Sequence, residues 1–125
     1  MNVTLWIVTG LLATVALAGG ISKTFVPKDK LAAAPGGGWT ATAAVPFIKA
    51  LGTLELLAAL GLILPAALDI APVMVPITAA CWILLMVGAI TTHLRHNEAK
   101  FIAVNLVYLA LAVVVVWGRF GPYSF

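Results

Sequence analysis

The side chain that most needs a chemical explanation is Glu55. It stands in an apolar run from Pro46 to Leu64 whose only other ionisable group is Lys49. Nine residues into that run, at about 1.5 Å per residue, it lies roughly 13 Å along a helix, near the middle of a hydrocarbon layer about 30 Å thick. An isolated carboxylate at that depth is penalised by roughly 2.5 kcal/mol or more, so Glu55 is expected to face neighbouring helices and to be protonated or partnered. Lys23, Lys49, His93 and Asn105 all fall toward one end of their own apolar runs. Asn105 is about 9 Å deep, Tyr108 follows it on the same helical face, and the long stem of Lys23 can carry its ammonium up or down by several Å.

Two kinds of chemistry suit this set. In one, an acid and a histidine bracket a quinone headgroup or another small polar ligand, and Asn105 or Tyr108 donates hydrogen bonds. Glu55 then shuttles a proton that His93 relays, since an imidazole titrates near neutrality in water. In the other, the polar groups form an interhelical clasp that fixes register and binds nothing. Other motifs are weaker. His93 and His96 are spaced i, i+3 with only Glu98 nearby, too few ligands for a metal centre. Gly36 to Gly38 follow no strand and precede no P-loop lysine, so they read as a linker. No serine, histidine and acid arrangement suggests nucleophilic catalysis, so the chain carries no self-sufficient catalytic motif.

The elements that must position these residues follow from composition. Hydrophobic residues make up 63% of the 125 and charged residues 9%, with a mean hydropathy of +1.15; a soluble domain carries roughly 25% charged residues. The length suits one integral membrane domain over residues 1–125, with no room for a separate soluble enzyme. Spans are predicted at about residues 3–22, 46–64, 73–92 and 99–117. The loop over 26–45 holds Lys28-Asp29-Lys30, a Leu31 to Ala34 stretch able to form one interfacial turn, the breaker Pro35-Gly36-Gly37-Gly38, and Trp39 as a headgroup anchor. Pro46 suits a first helical turn, Pro65 stands behind the second span, and Asp69 with Pro72 marks a tight turn. Ala16-Leu17-Ala18 resembles a signal-peptidase site, but Met1 to Trp6 lack Lys and Arg, so the first segment is expected to be retained as a helix. Short connections favour antiparallel neighbours and predict an all-α, transmembrane up-down four-helix bundle. Gly10, Thr14, Ala18, Gly52, Ala59 and Gly88 are candidates for close helix approach. Trp6, Trp39 and Trp117 suit the interfaces, and Trp82 suits interior packing.

Seven Lys and Arg against four Asp and Glu give a net charge of +3. The excess sits at helix ends and in one loop, which suits topology and contact with anionic lipid; no basic stripe suggests nucleic acid. Lys23, Lys28, Lys30, Lys49, Arg95 and Lys100 fall on one side and Arg119 alone on the other. This predicts cytoplasmic loops at 23–49 and 93–100 and both termini outside. Cys81 is the single cysteine, which excludes an internal disulfide or a CxxC pair and predicts a buried, inert thiol.

Gly19-Gly20 before Lys23, the run Lys49-Ala-Leu-Gly-Thr-Leu-Glu55-Leu-Leu-Ala-Ala-Leu-Gly61-Leu-Ile-Leu-Pro65, and Ile70-Ala-Pro72 leading to Gly88 and Thr92-His93-Leu94-Arg95 carry a resemblance across about Val3 to Pro122. Together they make the chain similar to the DoxX-like family of small bacterial membrane proteins. That resemblance implies a four-helix bundle in a bacterial inner membrane. It also implies roles seen among relatives: thiosulfate:quinone oxidoreductases, membrane or peripheral oxidoreductase complexes that handle thiol and oxidative stress, and, in distant animal relatives, receptor-assembly chaperones. Two functions are therefore expected to compete, an accessory subunit of a membrane redox system with a quinone or small polar ligand near Glu55, and a non-catalytic assembly subunit. Either is compatible with a homo-oligomer. Within the resemblance Glu55 and Lys23 are the positions expected to matter most, while the lone Cys81 departs from disulfide-exchanging quinone enzymes.

Overall fold

The computed structural model describes residues 2–34, 37–41 and 43–125; Met1, and Pro35 and Gly36 of the expected breaker, lie outside the described residues. Helix α1 (Asn2–Phe25) is followed by a short helix α2 (Lys28–Ala33), a 3₁₀ turn (Gly38–Ala41), and helices α3 (Val45–Ala67), α4 (Met74–Arg95) and α5 (Ala99–Phe120). Among the described residues no strand occurs. Four of the helices, α1, α3, α4 and α5, are long and apolar enough to cross a bilayer. They touch in a ring that follows chain order, α1 on α3, α3 on α4, α4 on α5 and α5 back on α1. This is the up-down four-helix bundle expected from the connections.

Each helix turns a narrow stripe inward. Buried positions recur as Leu5, Thr9, Leu12, Ala16 and Gly20 on α1, and as Ile48, Gly52, Glu55, Ala59 and Leu62 on α3. Steps of three and four residues keep a stripe on one helical face. Trp82 fills the centre, packed among Leu12, Leu62, Ala79 and Ala112. The remaining surface is apolar, as lipid requires, with Val3, Ile7, Leu57, Leu84 and Val107 all outward. Cys81 is also exposed, contrary to the buried thiol expected. Lipid accepts a thiol as readily as a protein core does, so its polarity could not decide its side.

Other local expectations shift. The turn expected at Leu31 to Ala34 is the helix Lys28–Ala33. Helix α3 continues through Pro65 to Ala67, because a proline in the last turn removes only one helical bond. The α3 and α4 ends close alike. Ile70 N–H donates to the Pro65 carbonyl and Asp69 N–H to Ala66; Glu98 N–H donates to His93 and Asn97 N–H to Leu94. These paired bonds define Schellman motifs. The pivot residues Asp69 and Asn97 have φ of 53° and 55°, a left-handed conformation that short polar side chains tolerate.

The close crossing is between α1 and α3, at glycines. A Cβ on Gly20 would lie 2.9 Å from the Gly52 carbonyl oxygen, and one on Gly52 would lie 2.9 Å from the Thr24 backbone nitrogen. Small residues let membrane helices approach to backbone contact, where dispersion replaces the hydrophobic drive that lipid does not supply. Of the positions expected to serve this purpose, Gly52 and Ala59 are buried, but Thr14 and Ala18 face outward. A Cβ on Gly10 or Gly88 would meet nothing within 4 Å.

Candidate functional site

The glycine crossing brings Lys23 to Glu55. Cα–Cβ bonds tilt toward a helix's N-terminus, so the Lys23 stem runs back along α1, deeper into the bundle. Its Nζ ends 2.9 Å from Glu55 Oε2, an ion pair between α1 and α3. Gly19 makes the space. A Cβ there would stand 2.9 Å from Glu55 Oε1 and 3.5 Å from Lys23 Nζ, so both charged groups occupy room that any larger residue would fill. Glu55 is 6% exposed, whereas the Lys23 side chain keeps 24%.

The pair lines a cavity of about 300 Å³. His93 of α4 and Asn105 of α5 line it too, so four of the six residues singled out in the sequence converge on one space. Asn105 Nδ2 is buried there without a hydrogen-bond partner. His93 is fixed from outside the cavity: Nδ1 lies 3.0 Å from Glu98 Oε1, and its ring stacks on Phe101 with centroids 5.6 Å apart. The Schellman turn sets this up by folding Glu98 back over the α4 end. His96 turns away, its Nδ1 2.9 Å from the Thr92 carbonyl.

Two expected members lie elsewhere. Lys49 is exposed and donates to the Thr24 carbonyl at 3.1 Å, tying α3 to the end of α1. Tyr108 packs against the central apolar cluster, although it shares a helical face with Asn105. Trp39, expected only as a headgroup anchor, forms part of the cavity wall together with Phe47 and Met86. The Gly19-Gly20 pair ahead of Lys23 is the sequence feature that could have pointed to the recess; nothing in the sequence marks the others as its walls.

The chemistry is that of a low-dielectric recess holding one cation, one anion and an unused amide donor. Two features, four spanning helices and an interior ion pair, define the class, a multi-pass membrane protein with lipid around its outer faces. The DoxX-like family matches residues 7–115, and the chain belongs to that family. No curated protein and no solved structure matches it.

Proposed function

We propose that the chain is an accessory subunit of a membrane redox system, holding the headgroup of a small neutral ligand, with a quinone as the fitting chemistry, against Lys23, Glu55 and Asn105. The observation that carries this reading is the orphaned Asn105 amide in the same cavity as the Lys23–Glu55 pair. A clasp that only joined helices would need no third polar group, and a buried donor without an acceptor costs roughly 1–3 kcal/mol. A quinone has two acceptor oxygens, which suit the Lys23 ammonium and the Asn105 amide. Its reduced form has two hydroxyls, which suit the Glu55 carboxylate. A charged ligand suits the recess less, because either sign meets one repelling partner and a desolvation cost.

Bound quinone would supply two-electron, two-proton chemistry. The chain's own part is to bind and orient the ring, exclude water, and hold a proton on Glu55 that His93 passes toward Glu98 and the loop side. By the positive-inside rule, loops 23–49 and 93–100 are cytoplasmic and both termini outside. A reporter fused to the C-terminus that is active only outside the cytoplasm should therefore be active, and a silent reporter would reverse the orientation.

The deciding experiment is extraction of small molecules from protein purified in mild detergent, followed by titration with a decyl-tailed benzoquinone read by tryptophan quenching. Wild-type protein should bind, and Glu55→Gln and Lys23→Met should each weaken binding by roughly tenfold or more. Absence of extractable quinone together with no saturable quenching would leave the assembly-subunit reading, in which Lys23 and Glu55 only clasp α1 to α3.

A further inference from the structure

We infer that the ligand reaches the cavity sideways from the bilayer, between α3 and α4, and that Gly88, Leu84 and Phe47 form the portal through which its apolar tail emerges. This rests on the ligand-site reading above and adds the route, the placement of the tail and the residues that select for it.

Helices α3 and α4 are joined by a short turn, and near it they pack hard. A Cβ on Gly61 would stand 2.5 Å from Thr78 Oγ1. Two turns farther from that connection, the cavity lies between Leu51 and Glu55 on α3 and Leu85 and Ala89 on α4. Its inner wall is buried, with Glu55 and Met86 nearly inaccessible. Its rim is not. Leu84 is 74% exposed and Phe47 55%, and a Cβ on Gly88 would meet nothing within 4 Å. These rim residues lie on helix faces that acyl chains cover, so the opening leads into lipid. On the loop side, Trp39 of the 3₁₀ turn and His93 form the wall instead.

Size gives an independent argument. Ligand pockets run from about 300 to 1,000 Å³, and this one, at about 300 Å³, has room for a single ring with small substituents. A long apolar tail must lie outside it. The groove past Leu84 and Gly88 takes that tail into lipid without burying any polar group, whereas a tail directed through the loop side would meet Lys23, Lys49 and water. The ligand class is therefore a membrane-dissolved amphiphile with a neutral, ring-sized head.

The test places wild-type protein and Gly88→Leu in lipid nanodiscs. Binding of a decyl-tailed benzoquinone and of the corresponding tail-less methylated benzoquinone is read by tryptophan quenching. Gly88→Leu should weaken the tailed probe by roughly tenfold or more and leave the tail-less probe within about twofold. Gly10→Leu, equally open and on a different helix, should change neither, and Leu84→Phe, which adds bulk without adding a fluorophore to the readout, should act in the same direction as Gly88→Leu. Unchanged affinity of both rim variants for the tailed probe would overturn the portal while leaving the site intact. Equal loss of both probes would place the leucine in the head recess and overturn it as well. Failure of wild-type protein to bind either probe would remove the ligand-site reading and the portal with it.

Discussion

Removing one partner of the Lys23–Glu55 pair strands the other in a place built for two charges. Breaking a buried pair from one side costs roughly 3–5 kcal/mol, whereas replacing both partners by apolar groups is often neutral or stabilising. Lys23 retains some exposure, which places Lys23→Met at the lower end, about 3 kcal/mol. Thermal unfolding in detergent should show that loss for Lys23→Met and recovery of most of it in Lys23→Met with Glu55→Leu. If the double variant is as unstable as the single one, the pair is not the unit that holds this end of the bundle. Gly19→Ala separates site from stability. Its methyl would press on Glu55 Oε1 and the mobile tip of Lys23, which can shift at modest cost, so quinone affinity should fall with little change in unfolding temperature.

At the scale of elements, the α1–α3 crossing is set by backbone rather than by side chains. Gly52→Ala would drive a methyl against Thr24 Oγ1 at 2.5 Å and against Lys23 Cβ and Thr24 N at 2.9 Å each. A backbone atom cannot rotate away, so the helices must part, and overpacking of this kind costs about 1–3 kcal/mol. Gly10→Ala, which meets nothing, is the matched control and should be neutral in the same unfolding assay. The same contrast shows what the sequence could and could not reveal. Four apolar runs of spanning length make the bundle legible, because length against bilayer thickness is a strong constraint. Depth along each run was also legible, which is why Lys23, His93 and Asn105 could be grouped with Glu55. Rotation was not. In a soluble helix the polar face marks the outside, but here lipid and core are equally apolar, so Gly10, Thr14, Ala18 and Cys81 carry no sign of facing outward, and Tyr108 none of facing the core.

Across the whole molecule, polar groups collect at both ends of the bundle, and the two ends differ in kind. Opposite the cavity end, Arg119 is buried to 4% exposure. Its Nη1 donates to Asn2 Oδ1 at 2.7 Å and to the Tyr123 carbonyl at 2.9 Å, and its guanidinium lies 3.9 Å from the Phe125 ring centroid and 5.9 Å from that of Trp6. Trp6 and Phe125 meet edge to face, and Gly118 leaves the space that Leu5 occupies. This group ties the start of α1 to the segment after α5, closing the ring of helices where the sequence suggested only a topology charge. Among the described residues no carboxylate side chain pairs with Arg119, so its hydrogen bonds and aromatic contacts carry its stabilisation. Arg119→Met should therefore free residues 121–125 for proteolysis and lower stability by about 2 kcal/mol, the scale of hydrogen bonds to a charged group. Because the tie is made to Asn2 and Tyr123, at the opposite end of the bundle from Lys23 and Asn105 and with no partner shared with Glu55, quinone affinity should stay within about twofold of wild type. Arg119→Lys should restore only part of the lost stability, since an ammonium can donate to both Asn2 and Tyr123 as Nη1 does but lacks the planar guanidinium face that meets the Phe125 ring. A fall in quinone affinity matching the loss of stability would mean that the two ends are coupled through the packed core around Trp82, and the bundle would then act as one unit rather than as a fixed frame with a clasp at one end and a recess at the other.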